Sequence, residues 1–322
     1  MQDVYIKVSV IICTYNPRRD YLSRTLAALQ AQTLPKSQWE LLLVDNASRE
    51  PVAESWDLSW HHSGRHVHEP NIGLTTARLR GISDAKGELL VFVDDDNVLD
   101  KRFLAQAVSI AENYPLVGVF GAGMLEAEFE IQPPPELVSR LHMLALRTVP
   151  TMRCSSDPFE SDCIPWGAGL CVTREVAAEF CRLIGRLRVT EVLGRRGNQL
   201  FSGEDDIFAW ASAMNGKEFG IFPELRITHL ISAARLNQTY FLRLIENQTF
   251  SQCVMSYLLF GRVPHRVGFG EYIRMSLHLI RRGYFSMRCR MVEASGRTRA
   301  VRFIADRALR PLQITFKGIG KR

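Results

Sequence analysis

Residues 88–99 read ELLVFVDDDNVL. Leu89–Val93 is a short, wholly apolar run rich in β-branched and aromatic residues. It is too brief for a helix that must bury one face, and it suits a strand covered on both sides. The run then ends abruptly in Asp94, Asp95 and Asp96. Three neighbouring carboxylates repel one another, and a hard divalent cation such as Mg²⁺ or Mn²⁺ relieves that repulsion. In an extended chain Asp94 and Asp96 point to one side and Asp95 to the other. The competing reading is a solvated acidic turn, with Asp100 capping the helix that follows.

Working outward, the same alternation repeats on both sides. Val8–Tyr15 and Trp39–Asn46 are further apolar runs, and His66–Glu69 is a shorter one. Between them, Arg18–Gln32 carries Tyr21, Leu22, Leu26 and Leu29 at helical spacing, and Asn71–Ala85 reads as a helix entered through a polar turn. Lys101–Asn113 is helical and Val117–Leu125 strand-like. Strand and helix in alternation predict an α/β fold, a Rossmann-like and mostly parallel sheet with helices on both faces. Ligands of such sheets gather at the carboxyl ends of the strands, where Thr14-Tyr15-Asn16, Asp45-Asn46 and the three aspartates fall.

Beyond Gln132 the pattern loosens at Pro133-Pro134-Pro135. Ile164–Val172 reads as a Gly-rich strand or loop, Ser202–Asn215 as a helix, and Glu218–Ile231 as a strand. Arg186–Gln199 is rich in Gly and Arg and reads either as a mobile loop near the site or simply as a surface loop.

Composition excludes several classes. With 46% hydrophobic and 23% charged residues, the 322-residue chain is globular, neither disordered nor collagen-like. No apolar run approaches the ~20 residues of a spanning helix, and no secretory leader is read. Seven cysteines without C-x-x-C spacing fit a reducing, cytoplasmic setting. The charge is uneven: net +12 from Arg262 onward against −6 before it. Tyr272–Phe285 and Arg299–Arg310 read as amphipathic basic helices, suited to peripheral contact with an anionic membrane or to packing on the body. Nucleic acid is not expected, because no recognised binding motif accompanies the charge.

Six blocks in order then resemble a known family: VSVIICTYNP (8–17), LLLVDNAS (41–48), EPNIGLTTARLRGI (69–82), ELLVFVDDDNVL (88–99), WGAGLCVTRE (166–175) and SGEDDIFAWA (202–211). The chain is similar to family 2 glycosyltransferases of the GT-A fold, which are inverting and nucleotide-sugar dependent. The resemblance implies a catalytic domain over residues 1–235, with a basic helical region at 236–322. It implies donor contacts from Thr14, Tyr15, Asn16, Asp45, Asn71, Gly73, Arg78, Asp94 and Asp95, with Asp45 reading the nucleobase. Of Arg78 and Arg80, two apart on a helix, only one can face the site; the resemblance points to Arg78, which matches the family's Ala-Arg step, with a solvent-facing arginine as the other reading. For Asp45 the other reading is a turn cap.

Asp94 and Asp96 match the family's D-x-D pair, implying metal ligation by Asp96 and Asp94 with His229 as a further ligand. Asp205 matches the general base and Glu204 its neighbour, with helix capping as the other reading. Trp166 and Gly167 begin the acceptor-side wall. The implied activity is metal-assisted transfer of a UDP-linked sugar to a hydroxyl of a glycan or lipid-linked acceptor, in cell-envelope polysaccharide assembly. Two alternatives stand beside it: a silent sugar- or membrane-binding scaffold, and a sugar-phosphate nucleotidyltransferase. The latter needs a Gly-rich phosphate loop where Thr-Tyr-Asn-Pro stands. The Gln-x-x-Arg-Trp block of processive synthases is absent.

Overall fold

The structure is a computed structural model that describes residues 6–187, 193–197, 199–265 and 269–312, with backbone only for 269–282. In chain order the elements are β1 (Val8–Thr14), α1 (Arg19–Gln30), β2 (Trp39–Asp45), a single turn α2 (Val52–Ser55), β3 (Gly64–His68), α3 (Leu74–Asp84), β4 (Leu89–Asp94), β5 (Asn97–Leu99), α4 (Phe103–Asn113) and β6 (Val117–Phe129). There follow β7 (Arg147–Thr148), β8 (Arg153–Ser155), β9 (Leu170–Thr173), α5 (Arg174–Leu187), α6 (Glu204–Met214), β10 (Glu218–Ile231), α7 (Gln238–Phe260) and α8 (Phe269–Asp306).

One sheet organises the molecule, with strand order β3-β2-β1-β4-β9-β6-β10-β5. The first four strands pair in parallel, and β6 and β10 pair in parallel; β9 runs antiparallel to β4 and β6. The fold is the expected mixed α/β one.

Alternate residues of each strand feed opposite faces of the sheet. Val8, Val10, Ile12, Val91 and Val93 pack with Leu22, Leu26 and Leu29 of α1 and with Phe103, Leu104 and Ala107 of α4. Ile11, Leu42, Val44, Leu90 and Phe92 face the other way, onto Ala77 and Ile82 of α3 and the apolar sides of α5 and α6. On that face Phe180 and Phe208 stack with centroids 3.7 Å apart, and Phe92 lies 5.5 Å from Phe208. Such pairs contribute roughly 0.5–1.5 kcal/mol beyond the area they bury. Helix α5 had no sequence prediction of its own, although Val176, Ala177, Phe180, Leu183, Ile184 and Leu187 give it a clear apolar side.

The basic C-terminal region joins this core. Phe250, Val254, Met255, Leu258 and Leu259 of α7 and Ala300 of α8 are buried in the cluster that holds α5 and α6. A Cβ at Gly296 would sit 2.5 Å from the Glu246 carbonyl, so its hydrogen lets α8 press against α7. Gly283, at φ 82°, breaks α8 into two helical pieces. Within the second basic stretch, Ile304 and Leu309 pack on the core, so its apolar residues face the protein. Side chains of the first stretch, up to residue 282, lie outside the described ones. No helix among the described residues is long and apolar enough to cross a membrane.

Candidate active site

A cavity of about 930 Å³ opens at the carboxyl ends of β1 and β4. Parallel register brings Thr14 level with Asp45 and Cys13 level with Asp94, so successive strands deliver polar groups to this edge. β4 stops at Asp94, and Asp95 and Asp96 form a turn into β5. That corrects the expectation that Asp95 turns away: once the chain leaves the extended conformation its two-residue alternation ends, and all three aspartates line the cavity. Asp95 accepts a hydrogen bond from the Thr14 hydroxyl. Asp100 accepts one from the Arg102 N–H ahead of α4, 2.9 Å away.

Each acid has a distinct surrounding. Burial pushes the Asp94 carboxyl upward, and Arg78 opposes that shift while the Asp96 charge adds to it. Burial and the Asp96 charge raise Asp95 in the same sense. Burial works against the charge of Asp96 too, but the charges and hydrogen bond from His229 and Arg235 hold it below the usual carboxylate range. Antiparallel pairing of β10 with β5 sets His229 opposite Asn97. His229 Nε2 therefore reaches within 3.2 Å of Asp96 Oδ2. Arg235, just past β10, puts Nη1 3.0 Å from the same oxygen.

The second centre is Arg78. α3 starts at Leu74, after Gly73 at φ 149°, a conformation natural only to glycine. A Cβ at Gly81 would meet Ile11 at 2.5 Å, so α3 lies tight on β1. Arg78, one turn earlier on the same face, is thereby buried at 2% exposure. Its guanidinium lies 3.7 Å from Asp94, 3.5 Å from Glu204 and 3.4 Å from Asp205. Burial disfavours its charge, but Glu204, Asp205 and Asp94 outweigh that and hold it firmly protonated. Arg80 instead points outward and pairs with Asp84 at 3.2 Å.

Glu204 and Asp205 open α6 after Gly203, which is left-handed at φ 101°. Glu204 is buried and accepts a hydrogen bond from the Thr75 hydroxyl at 3.0 Å. Its carboxyl is raised by burial, against the charge of Arg78. Asp205 keeps a third of its side chain exposed to the cavity. Asp206 is pushed up to about 7, by burial and then by Asp205. Gly167 makes room for the pair: a Cβ there would stand 2.7 Å from Arg78 Nη2 and 2.9 Å from Asp205 Oδ1. Trp166 lines the cavity with the Arg147 guanidinium stacked 3.4 Å from its ring centroid.

Other expected residues stand further back. Asp45 is buried, and its two oxygens accept from the Ser48 and Val52 N–H groups at 2.9 and 3.1 Å. Its side chain thus caps a turn, as the other reading had it, and it is outside the cavity lining. Asn16 and Asn71 also lie outside that lining, binding Arg49 N–H and Glu69 respectively. Thr14, Tyr15 and Gly73 line it. The sequence reading placed Asn46 among the strand-end polar groups but gave it no role; it receives the Gly73 N–H at 2.7 Å and donates to Asn71 O at 2.7 Å. That reading missed Arg195, Arg235 and Tyr240, which no spacing signalled.

Among the described residues, no group of three or more His, Cys, Asp or Glu stands close enough to hold a metal. The donor chemistry still fits one. Two ligands at about 2.1 Å and near right angles lie roughly 3 Å apart. That is close to the 3.2 Å between Asp96 Oδ2 and His229 Nε2. Mg²⁺ commonly takes one or two protein ligands and completes its shell with phosphate and water.

Residues 9–141 match the family profile described as Glycosyl transferase family 2. Over that stretch the chain is similar to glycosyl transferase family 2. Glycosyltransferase AglE of Haloferax volcanii is 32% identical over 105 residues, covering 32% of this chain and 34% of that one. The poly(ribitol-phosphate) β-N-acetylglucosaminyltransferase TarS of Staphylococcus aureus is 26% identical over 139 residues, covering 40% of this chain and 24% of TarS. The matches to these two relatives thus span only 24% to 34% of their length. The match to the mannosyltransferase PcManGT of Pyrobaculum calidifontis, solved with GDP-Man and Mn²⁺, covers 94% of this chain and 76% of that one. Its TM-score is 0.53 at 18% identity. That likeness confirms the GT-A type of fold.

Proposed function

We propose that this chain is an inverting family 2 glycosyltransferase that moves a sugar from a UDP-linked donor to a hydroxyl of a glycan or lipid-linked acceptor. The observation that carries the reading is the Arg78 bridge, which ties Asp94 at the strand edge to Asp205 at the start of α6, both lining one cavity. Inversion by single displacement needs one base on the acceptor side and no protein nucleophile. Asp205 fills that role, taking the hydroxyl proton as the oxygen attacks the anomeric carbon. Arg78 holds the Asp205 carboxylate in place. Glu204, bound by Thr75, holds Arg78 in turn.

The strand-edge acids face the donor. Thr14, Asp94 and Asp95 border the ribose and diphosphate, with Tyr15 and Asn46 beside them. Asp96 and His229 would hold a divalent metal, with Asp94 nearby. Such an ion stabilises the charge that develops on the leaving diphosphate. Trp166 and Gly167 flank the acceptor.

In this reading residues 1–235 form the catalytic domain and 236–322 a helical extension bracing it. The extension's net positive charge suits it to an anionic surface at the cytoplasmic face of a membrane. Relatives named for ribitol-phosphate polymers and for succinoglycan biosynthesis support a setting in cell-envelope polysaccharide assembly.

Calorimetry of UDP-, GDP- and dTDP-sugars, with Mn²⁺ and with EDTA, tests the donor half. Binding of one donor that EDTA abolishes supports it. Heat from none of them sinks it and returns the scaffold.

A further inference from the structure

Three polar atoms share one point at the base of the cavity. Arg235 Nη1 is 3.0 Å from Asp96 Oδ2 and 3.0 Å from His229 Nε2, and those two are 3.2 Å apart. The near-equilateral triangle is internally conflicted. If Nε2 carries a hydrogen it donates to Asp96 but opposes the guanidinium N–H; if it is bare it accepts from Arg235 but turns its lone pair on the carboxylate. A divalent ion in place of the guanidinium would use both lone pairs at once. Two more atoms of the group go without a partner: Arg235 Nε and His229 Nδ1 are both buried and unbonded. Buried polar groups are normally satisfied, so the guanidinium is held in an incomplete site.

An alternative partner for that guanidinium lies within the same cavity. Arg195 reaches Tyr240 Oη at 3.4 Å, and Arg235 lies 5.8 Å from the Tyr240 ring. Both arginines line the cavity beside Asp96. Guanidinium groups match phosphate oxygens in a planar, two-point manner that a carboxylate shared with histidine does not offer.

We propose that Arg235 stands in for the metal at Asp96 and His229 until a nucleoside diphosphate draws its guanidinium away, so that metal and nucleotide load together. The inference rests on the donor reading above and adds a device to it: free Mn²⁺ alone must displace an arginine, whereas Mn²⁺ with UDP meets a vacated pair of ligands.

The test is Mn²⁺ binding, read by the loss of the free-ion electron paramagnetic signal, with and without UDP. It compares the full chain with Arg235→Gln and the charge-keeping Arg235→Lys. In the wild type, UDP is expected to tighten Mn²⁺ by a factor in the range of roughly 5–150, the usual span of coupling between two ligands. Arg235→Gln is expected to bind Mn²⁺ alone about fivefold or more tightly than wild type, with a smaller further gain from UDP. Arg235→Lys keeps a competing cation and should stay near wild type. An Arg235→Gln protein with an unchanged melting curve that binds Mn²⁺ alone no more tightly overturns the inference. So does a wild type that binds Mn²⁺ equally with and without UDP, a result that needs no variant to fold. If neither wild type nor Arg235→Gln binds Mn²⁺ even with UDP, the metal reading itself falls, and this inference with it.

Discussion

Arg78 Nη1 lies 3.4 Å from Asp205 Oδ1, with the arginine 2% exposed and the aspartate open to the cavity. A buried cation therefore holds the carboxylate proposed as the base. The same guanidinium meets Asp94 at 3.7 Å, so it joins the residues proposed for the donor and acceptor sides.

Asp205→Asn keeps the side chain's shape and removes its basicity. Transfer should fall by roughly 10²- to 10⁴-fold, the usual contribution of a positioned base. UDP affinity should stay near wild type, since Asp205 does not border the nucleotide. Steady-state rates with calorimetry on the same protein check both halves; a variant that transfers at full rate removes Asp205 from the mechanism.

Arg78→Lys retains the charge and loses the fork that spans three carboxylates. A fall of about 10²-fold in kcat is expected from misplacement of Asp205 alone. Arg78→Ala should be worse for the fold, because it leaves Glu204 buried without its cation, a loss of roughly 3–5 kcal/mol. Urea unfolding of the two variants should rank them in that order.

Gly167→Ala isolates geometry from chemistry. The new methyl would stand 2.7 Å from Arg78 Nη2 and 2.9 Å from Asp205 Oδ1, both the far ends of side chains that can shift. Melting temperature should move by no more than about 2–4 °C, equivalent to roughly 1 kcal/mol in a domain of this size. Activity should drop about 10²-fold. Equal activity in the alanine variant would show that the Arg78–Asp205 contact is dispensable.

Much of this was legible in the sequence. Leu89–Val93 announced a buried strand because it is apolar on both faces, and β10 was read at its observed ends, Glu218–Ile231. Helical phase allowed only one of Arg78 and Arg80 to face the site, and the family resemblance pointed to Arg78. Less was legible where the chain leaves regular structure. Asp95 could not be placed by strand alternation, because the strand ends at Asp94. Asp45 carries the same carboxylate whether it reads a base or caps a turn, and no sequence pattern reports that it accepts from the Ser48 and Val52 N–H groups. Arg235 lies 139 residues from Asp96, and no local pattern reports a contact that the β10–β5 pairing alone creates.

His61 gives a pH test remote from the site. It is 2% exposed, with its ring 4.1 Å from Trp39, and burial, then the charges of His62 and Lys36, lower it from 6.5 to about 4. The unfolded chain takes up this proton at higher pH than the folded one. Stability from a neutral His61 is therefore full above 6.5 and declines as pH falls towards 4. The melting temperature of wild type minus that of His61→Phe should be flat above neutrality and fall between those values. A difference that stays level throughout would show that His61 is not held neutral.

The central claim is that the acids at the β4 edge and Asp205 serve one sugar-transfer site. Its most direct measurement is nucleoside diphosphate release from a panel of nucleotide sugars by wild type, Asp96→Ala and Asp205→Asn, each with Mn²⁺ and with EDTA. The account predicts slow hydrolysis of one donor by wild type, lost with EDTA and in both variants. Release that persists undiminished in Asp96→Ala and Asp205→Asn would contradict it.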